Sequence, residues 1–372
     1  MSVEVEGPPG EAATVLAEMQ VLAPRPGPWQ RLIRVAILLV SVGLFVRVLW
    51  TADLGNVARI LRDVGPAALL SVLPYGVAVT LDTAGWAAIL RGLEAQVSTW
   101  RLLGLRLSTE AIHLSFPGGP LIAEGLKVWF LHRRFGVGIA EGTASLTVKK
   151  TIQLGSHGVY LLTAAAVSGP WLAGHRGLRP LLVGLGALTS LVAVGMVAVL
   201  LSGKVAARLW NLLRRVPVAR LRNWLLAREV AFVDTDQHVR EVLLSHAPGL
   251  VAAFLWILAG WFAEAGESWV ILRLLGVELP FSAVLSFEPV VSFARSAAFF
   301  VPAGLGVQDA GYMTMLQGFG IPDATNRAAA FVLLKRFKEV VWIAVGWILL
   351  LALRNRRVAP PSGVPSGARQ VS

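Results

Sequence analysis

Apolar positions run in blocks of bilayer length along most of the chain, and polar residues collect in the short stretches between them. A helix of about 20 apolar residues crosses the hydrocarbon layer. Six segments reach that length, at 32–50, 66–90, 143–168, 180–202, 248–272 and 327–353. Two further regions, 102–134 and 281–320, are also apolar but are interrupted at their centres by FPGGP (116–120) and VPAGLG (301–306). Proline removes a helical donor and glycine loosens the backbone, so each region predicts two short helices flanking a break. The two arms form either a re-entrant hairpin or a pair of tilted spans. The pattern predicts an all-α polytopic membrane protein with one transmembrane domain over 31–355, a cytosolic loop at 203–247, and disordered tails at 1–30 and 356–372.

Composition supports this reading. The 372 residues are 55% hydrophobic and 15% charged, against about 25% charged in a soluble chain. No cysteine is present, which excludes disulfide scaffolds and thiolate metal sites. The net charge of +12 does not point to nucleic acid, because the basic residues lie in short stretches between apolar segments, where they hold loops in the cytoplasm. Arg31 and Arg34 precede the first span, Arg91, Arg101, Arg106, Arg133 and Arg134 flank the first broken region, and Arg354 and Arg356 follow the last span. With the N-terminus inside, all of these fall inside, so both termini are expected in the cytoplasm of a cell whose plasma (inner) membrane holds the chain. The loop at 203–247 mixes eight basic residues with Trp210, Leu213, Leu221, Trp224 and Leu225. It reads equally as helices lying in the headgroup layer or as a solvated connector. The 13 tryptophans mostly fall near span ends and read as interfacial anchors.

An internal repeat is present. Pro117, Gly119 and Glu124 match Pro302, Gly304 and Asp309 in spacing, with Lys150 and Lys335 each 33 residues after the proline and Asp82 and Glu267 each 35 before it. GLEA at 92–95 resembles GVEL at 276–279 with a one-residue offset. The units run over 66–168 and 248–353, each with an even number of crossings, and one extra span separates them. The second unit therefore enters from the opposite side, which makes two inverted-topology repeats with Pro/Gly-broken re-entrant helices. Secondary transporters use this architecture, with substrate held between repeats by interrupted helices.

Irregular backbone at membrane depth is tolerated only inside protein or beside a wet cavity. Pro117, Gly118, Gly119, Pro302, Gly304 and Gly306 are therefore expected to line one, with the helix N-termini after each break offering amides to a phosphate. Lys127, Lys149, Lys150, Lys335, Arg336 and Lys338 would make that cavity basic and suited to an anionic headgroup. The structural alternatives are a Lys335–Glu339 pair at i, i+4, and snorkelling for Lys149 and Lys338. Glu124 and Asp309 suit pairing with these bases or a proton-coupling role, and Asp82, Glu264 and Glu267 are further coupling candidates. Glu110 and Arg295, each seven residues before their proline, could pair across the repeat axis. His113, Ser115 and Glu110 do not make a hydrolase triad, since one helix cannot orient them, and the histidines show no metal-like grouping.

At these residues the sequence resembles a family. FPGGPLIAEGLK (116–127) with LTVKKT (146–151), and FFVPAGLGVQDAG (299–311) with LLKRF (333–337), resemble the two signatures of the flippase-like membrane domain of lysylphosphatidylglycerol synthases and its stand-alone relatives. The similarity covers roughly 32–353. The family usually reads Pro-Gly-Gly-Leu-Gly-Val-Arg-Glu in the second signature, where this chain has Ala303 for a glycine and Gln308-Asp309 for Arg-Glu. The resemblance implies translocation of an anionic or polyprenyl-type lipid between leaflets, with no cofactor and no enzymatic activity. About 20 residues follow the last span, too few for the aminoacyl-transferase domain of the full synthases. The alternative is a non-transporting subunit of a glycolipid, hopanoid or cell-envelope lipid pathway, partnered by a glycosyltransferase or lipid-synthesis enzyme. Oligomeric state is left open.

Overall fold

A computed structural model describes residues 28–172, 177–203, 229–298 and 300–355. The expectations for residues 1–27, for 204–228 with their arginines and tryptophans, and for 356–372 lie outside these residues. The described chain is helical, with no strand among them. Three helical stretches, Leu54–Gly92, Leu178–Leu201 and Ala247–Leu274, are long and apolar enough to cross a membrane.

Helix α1 (Pro28–Trp50) is followed by α2 (Leu54–Val64), a 3-10 stretch Gly65–Val72 and α3 (Leu73–Gly92). The first broken region is α4 (Thr99–Ser115) and α5 (Gly119–Phe135). Then come α6 (Ile139–Val167), α7 (Leu178–Leu201), α8 (Glu229–Ser245) and α9 (Ala247–Leu274). The second broken region holds more pieces: α10 (Phe281–Leu285), α11 (Glu288–Ala297), a 3-10 turn Pro302–Gly304 and α12 (Val307–Gly318), followed by α13 (Ala324–Asn355). At 29 and 32 residues, α6 and α13 are long enough to span, but each carries a lysine-rich centre.

Two helices fall outside the predicted spans. Helix α2 starts at Asp53, whose carboxylate accepts from the Gly55 and Asn56 amides, and it buries Val57. Asp53 is thus the N-cap of this helix. Helix α8 occupies the end of the 203–247 loop, with Val239 and Val242 packed against Ala144 and Val148 of α6 and Ala253 of α9.

The two breaks are the same turn. The Gly119 amide donates to Phe116 O at 2.8 Å, with Pro117 second and Gly118 third at φ +71°. The Gly304 amide donates to Val301 O at 3.1 Å, with Pro302 second and Ala303 third at φ +49°. Proline second and a left-handed third residue define a type II turn, and glycine is the residue that adopts it without strain. Helices α3 and α9 also end alike, with Ala95 N donating to Leu90 O and Val277 N to Leu272 O across a left-handed Glu94 or Gly276. This makes Glu94 the counterpart of Gly276 and puts the GLEA–GVEL match out of register.

Close packing holds the helices around a polar centre. A methyl group at Gly346 of α13 would lie 2.7 Å from Leu107 O of α4, and one at Gly85 of α3 would lie 2.8 Å from Ile257 of α9. Small residues at such crossings let backbones approach where lipid offers no hydrophobic drive. Trp86, Leu102, Leu105 and Leu131 fill one apolar cluster, and Tyr160, Ile271, Phe287 and Phe331 belong to a second. Leu191, Val194 and Ile348 are exposed on the outside, the arrangement expected of a hydrocarbon-facing surface.

Candidate functional site

Within the helices lies a cavity of about 500 Å³. Its wall carries five basic side chains, Arg106, Lys127, Lys149, Lys150 and Arg295, and five acidic ones, Asp82, Glu110, Glu124, Glu264 and Glu339. A basic cavity was expected, and the wall is instead charge-balanced. The acids were not counted against the bases in the sequence because their partners lie on other helices.

The first ion-pair cluster faces this space. Lys149 Nζ lies 2.6 Å from Asp82 Oδ2, which also accepts from Arg106 Nε at 3.3 Å. Arg106 pairs in addition with Glu110, four residues on, and Glu110 Oε1 accepts from the Tyr75 hydroxyl at 2.5 Å. Glu124 Oε1 receives Lys127 Nζ at 3.0 Å and Lys150 Nζ at 2.8 Å. The Lys150 side chain is 46% exposed. Glu124 Oε2, His113 Nδ1 and His157 Nε2 are buried without a hydrogen-bond partner. The His157 ring stands 4.6 Å from the Trp261 ring and 6.2 Å from the Phe293 ring, centroid to centroid.

The second cluster is buried and reaches the cavity wall only through Glu339. Lys335 Nζ lies 2.9 Å from Glu267 Oε1 and 3.6 Å from Glu288, and Lys338 takes the other Glu267 oxygen at 3.1 Å. Glu288 also accepts from Ser268 at 2.5 Å and Tyr312 at 2.8 Å. Arg336 grips Asp309 at 2.6 Å and Glu339 at 2.5 Å, and Gln308 donates to the second Glu339 oxygen. Every side chain in these ion pairs is at most 13% exposed. The three bases Lys335, Arg336 and Lys338 face three acids off the wall, Glu267, Glu288 and Asp309, so the interior as a whole stays balanced.

Several expectations are corrected by these contacts. Lys335 pairs with Glu267, not with Glu339, whose partner is Arg336. Lys149 and Lys338 do not snorkel: both are 2% exposed and paired. Glu110 and Arg295 do not pair with each other, since Arg106 holds Glu110 and Glu264 holds Arg295 at 2.9 Å. At the first break the helix N-terminus offers no free amide. Gly119 N is used by Phe116 O, Pro120 has none, and Leu121 and Ile122 donate to Gly118 O. At the second break Asp309 itself accepts from Gly306 N at 2.7 Å.

Of the broken-segment residues, Pro120, Val301, Ala303 and Gly304 reach the wall, while Pro117, Gly118, Gly119, Pro302 and Gly306 shape the backbone behind it. Gly119 is needed for packing: a methyl group there would sit 2.4 Å from Ile112 O and 2.5 Å from His113 O. Arg106 had been counted only as a loop charge. Its i, i+4 spacing to Glu110 was the available signal. Glu288 went unnoticed, although an acid in an otherwise apolar segment is a functional candidate by default.

The two clusters repeat one plan. An acid on the first long helix of each unit binds a lysine on the last one, and the acid after each break binds the next base along. Lys149 thus corresponds to Lys335 and Lys150 to Arg336, one residue off the spacing match. No curated protein and no solved structure is significantly similar to the chain. A family profile described as the lysylphosphatidylglycerol synthase TM region matches residues 32–346, over the breaks, both ion-pair clusters and the cavity wall. This membrane protein belongs to the lysylphosphatidylglycerol synthase TM region family.

Proposed function

We propose that the protein moves an anionic, phosphate-bearing lipid of phospholipid or polyprenyl type between the two leaflets by alternating access, as a carrier and not an enzyme. One observation carries the reading: of two ion-pair clusters built on the same plan, one opens onto a cavity through the half-exposed Lys150 and the other is buried, touching the cavity only through Glu339. Two repeats inserted with opposite topology would turn these clusters toward opposite leaflets, and each end state would open one of them. With both termini in the cytoplasm, the first cluster lies in the cytosolic half and this structure is the cytosol-facing state. The broken regions act as re-entrant arms. At 17 residues each, α4 and α5 are about 25 Å long, short of a hydrocarbon core of about 30 Å.

The test is flux. Vesicles containing the purified chain and a trace of headgroup-accessible fluorescent phosphatidylglycerol should equalise the probe between leaflets faster than protein-free vesicles. Equal rates in both would overturn the carrier reading and leave the non-transporting subunit. Orientation is tested in this cysteine-free chain by single cysteines: Asp53→Cys should react with an impermeant thiol reagent in intact cells and Ser202→Cys should not. The reverse pattern would exchange the two sides.

A further inference from the structure

We propose that an anionic headgroup enters this cavity together with one proton, which Glu124 takes up, so that lipid and proton move in the same direction; this rests on the lipid-carrier reading above. The reason is electrostatic balance. Acids and bases on the cavity wall are equal in number, and the buried cluster behind it adds three of each. A phosphodiester arriving among these buried ion pairs leaves one uncompensated negative charge, which a helix interior does not tolerate.

The geometry says where the compensating proton goes. Two ammonium groups on the cavity wall, Lys127 and Lys150, are both engaged by a single carboxylate oxygen, Glu124 Oε1. Lys150 is half-exposed to the cavity and is the one an entering ligand reaches first. When phosphate oxygens accept those N–H groups, Glu124 loses both of its cations. Its second oxygen, Oε2, is buried and without a partner, on a residue that lines the cavity. The charged and titratable groups around it are Lys127 on its own helix, Lys149 and Lys150 on α6, and Arg106, Glu110 and His113 on α4. Lys149 and Arg106 are held by Asp82, and Arg106 also by Glu110, so neither can replace the lost partners. The freed carboxylate therefore forms an O–H bond with a proton from the aqueous phase, and the loaded cavity is neutral again. On the far side the lipid leaves, the proton leaves, and the two lysines return to Glu124.

The experiment uses the full chain in vesicles holding a pH-sensitive dye, with fluorescent phosphatidylglycerol or zwitterionic phosphatidylcholine as probe. Phosphatidylglycerol movement should carry about one proton per lipid, and a gradient of about one pH unit should shift its leaflet ratio about tenfold. Phosphatidylcholine should carry none. Glu124→Gln should move less phosphatidylglycerol, and what it moves should carry no proton and ignore the gradient. Phosphatidylglycerol crossing in the wild-type protein without protons would overturn the coupling while leaving the carrier reading intact. Proton movement preserved in Glu124→Gln would overturn the assignment to this residue. Absence of any lipid movement would overturn both readings. If the variant does not fold, the wild-type proton count alone decides.

Discussion

The two units of this protein carry ion pairs in matching positions, yet the pairs stand in different surroundings. Glu124 holds Lys150 where solvent reaches the ammonium, while Asp309 holds Arg336 behind a wall of helices. An exposed pair is cheap to break, because water replaces each partner. A buried pair is costly to break, because the survivor is left charged in a dry interior. Under the proposed carrier function this asymmetry would exchange between the units, and each state would be stabilised by the cluster it keeps closed.

The comparison can be broken most strongly at the buried cluster. Glu267→Gln leaves Lys335 and Lys338 short of their shared partner and should cost about 3–5 kcal/mol, read as a lower unfolding midpoint in detergent. Arg336→Gln should act in the same way on Asp309 and Glu339, and a variant as stable as the parent would contradict the buried arrangement. Next is the close approach at the first break. Gly119→Ala pushes a methyl group into two backbone carbonyls and should cost about 1–3 kcal/mol, whereas a neutral result would mean that α5 can shift away. A smaller effect of opposite sign is expected at the second break, where Ala303→Gly relieves a left-handed alanine and should stabilise by about 0.5–1 kcal/mol. The smallest change in stability belongs to Lys150→Gln, under about 1 kcal/mol because the lysine is half-exposed. Its affinity for phosphatidylglycerol should nevertheless fall about tenfold, the loss of one charge-assisted hydrogen bond. Loss of stability without loss of affinity would make Lys150 a structural residue.

The breaks were legible in the sequence because a type II turn has a local chemical signal, an early proline beside glycine, met outright by Pro117-Gly118 and by Pro302 with Gly304 close behind, although the left-handed position itself is taken by Ala303. The long apolar helices were legible for a similar reason, since a span needs only length and apolarity. Ion-pair partners were not, because they depend on rotation about the helix axis. Lys149 and Lys150 are neighbours in sequence but about 100° apart around α6, so one reaches Asp82 on α3 and the other Glu124 on α5. Spacing alone matched Lys150 to Lys335, a register that ignores this rotation. Helix α2 went unseen because its 11 residues are too few for a span and its single capping aspartate looked like an ordinary loop charge.

The interhelical pairs also have an order along the chain. Asp82 precedes Lys149, Glu124 precedes Lys150, Glu264 precedes Arg295, Glu267 precedes Lys335 and Lys338, and Asp309 precedes Arg336. During synthesis, each acid-bearing helix is therefore available to enter the bilayer before its basic partner has been made. A lone carboxylate in hydrocarbon can shed its charge by accepting a proton, whereas an arginine with its much higher proton affinity cannot shed its own. For Arg295 and Arg336 the ribosome thus delivers first the partner that can wait uncharged, and each later base, lysine or arginine, enters a membrane that already holds its counter-ion.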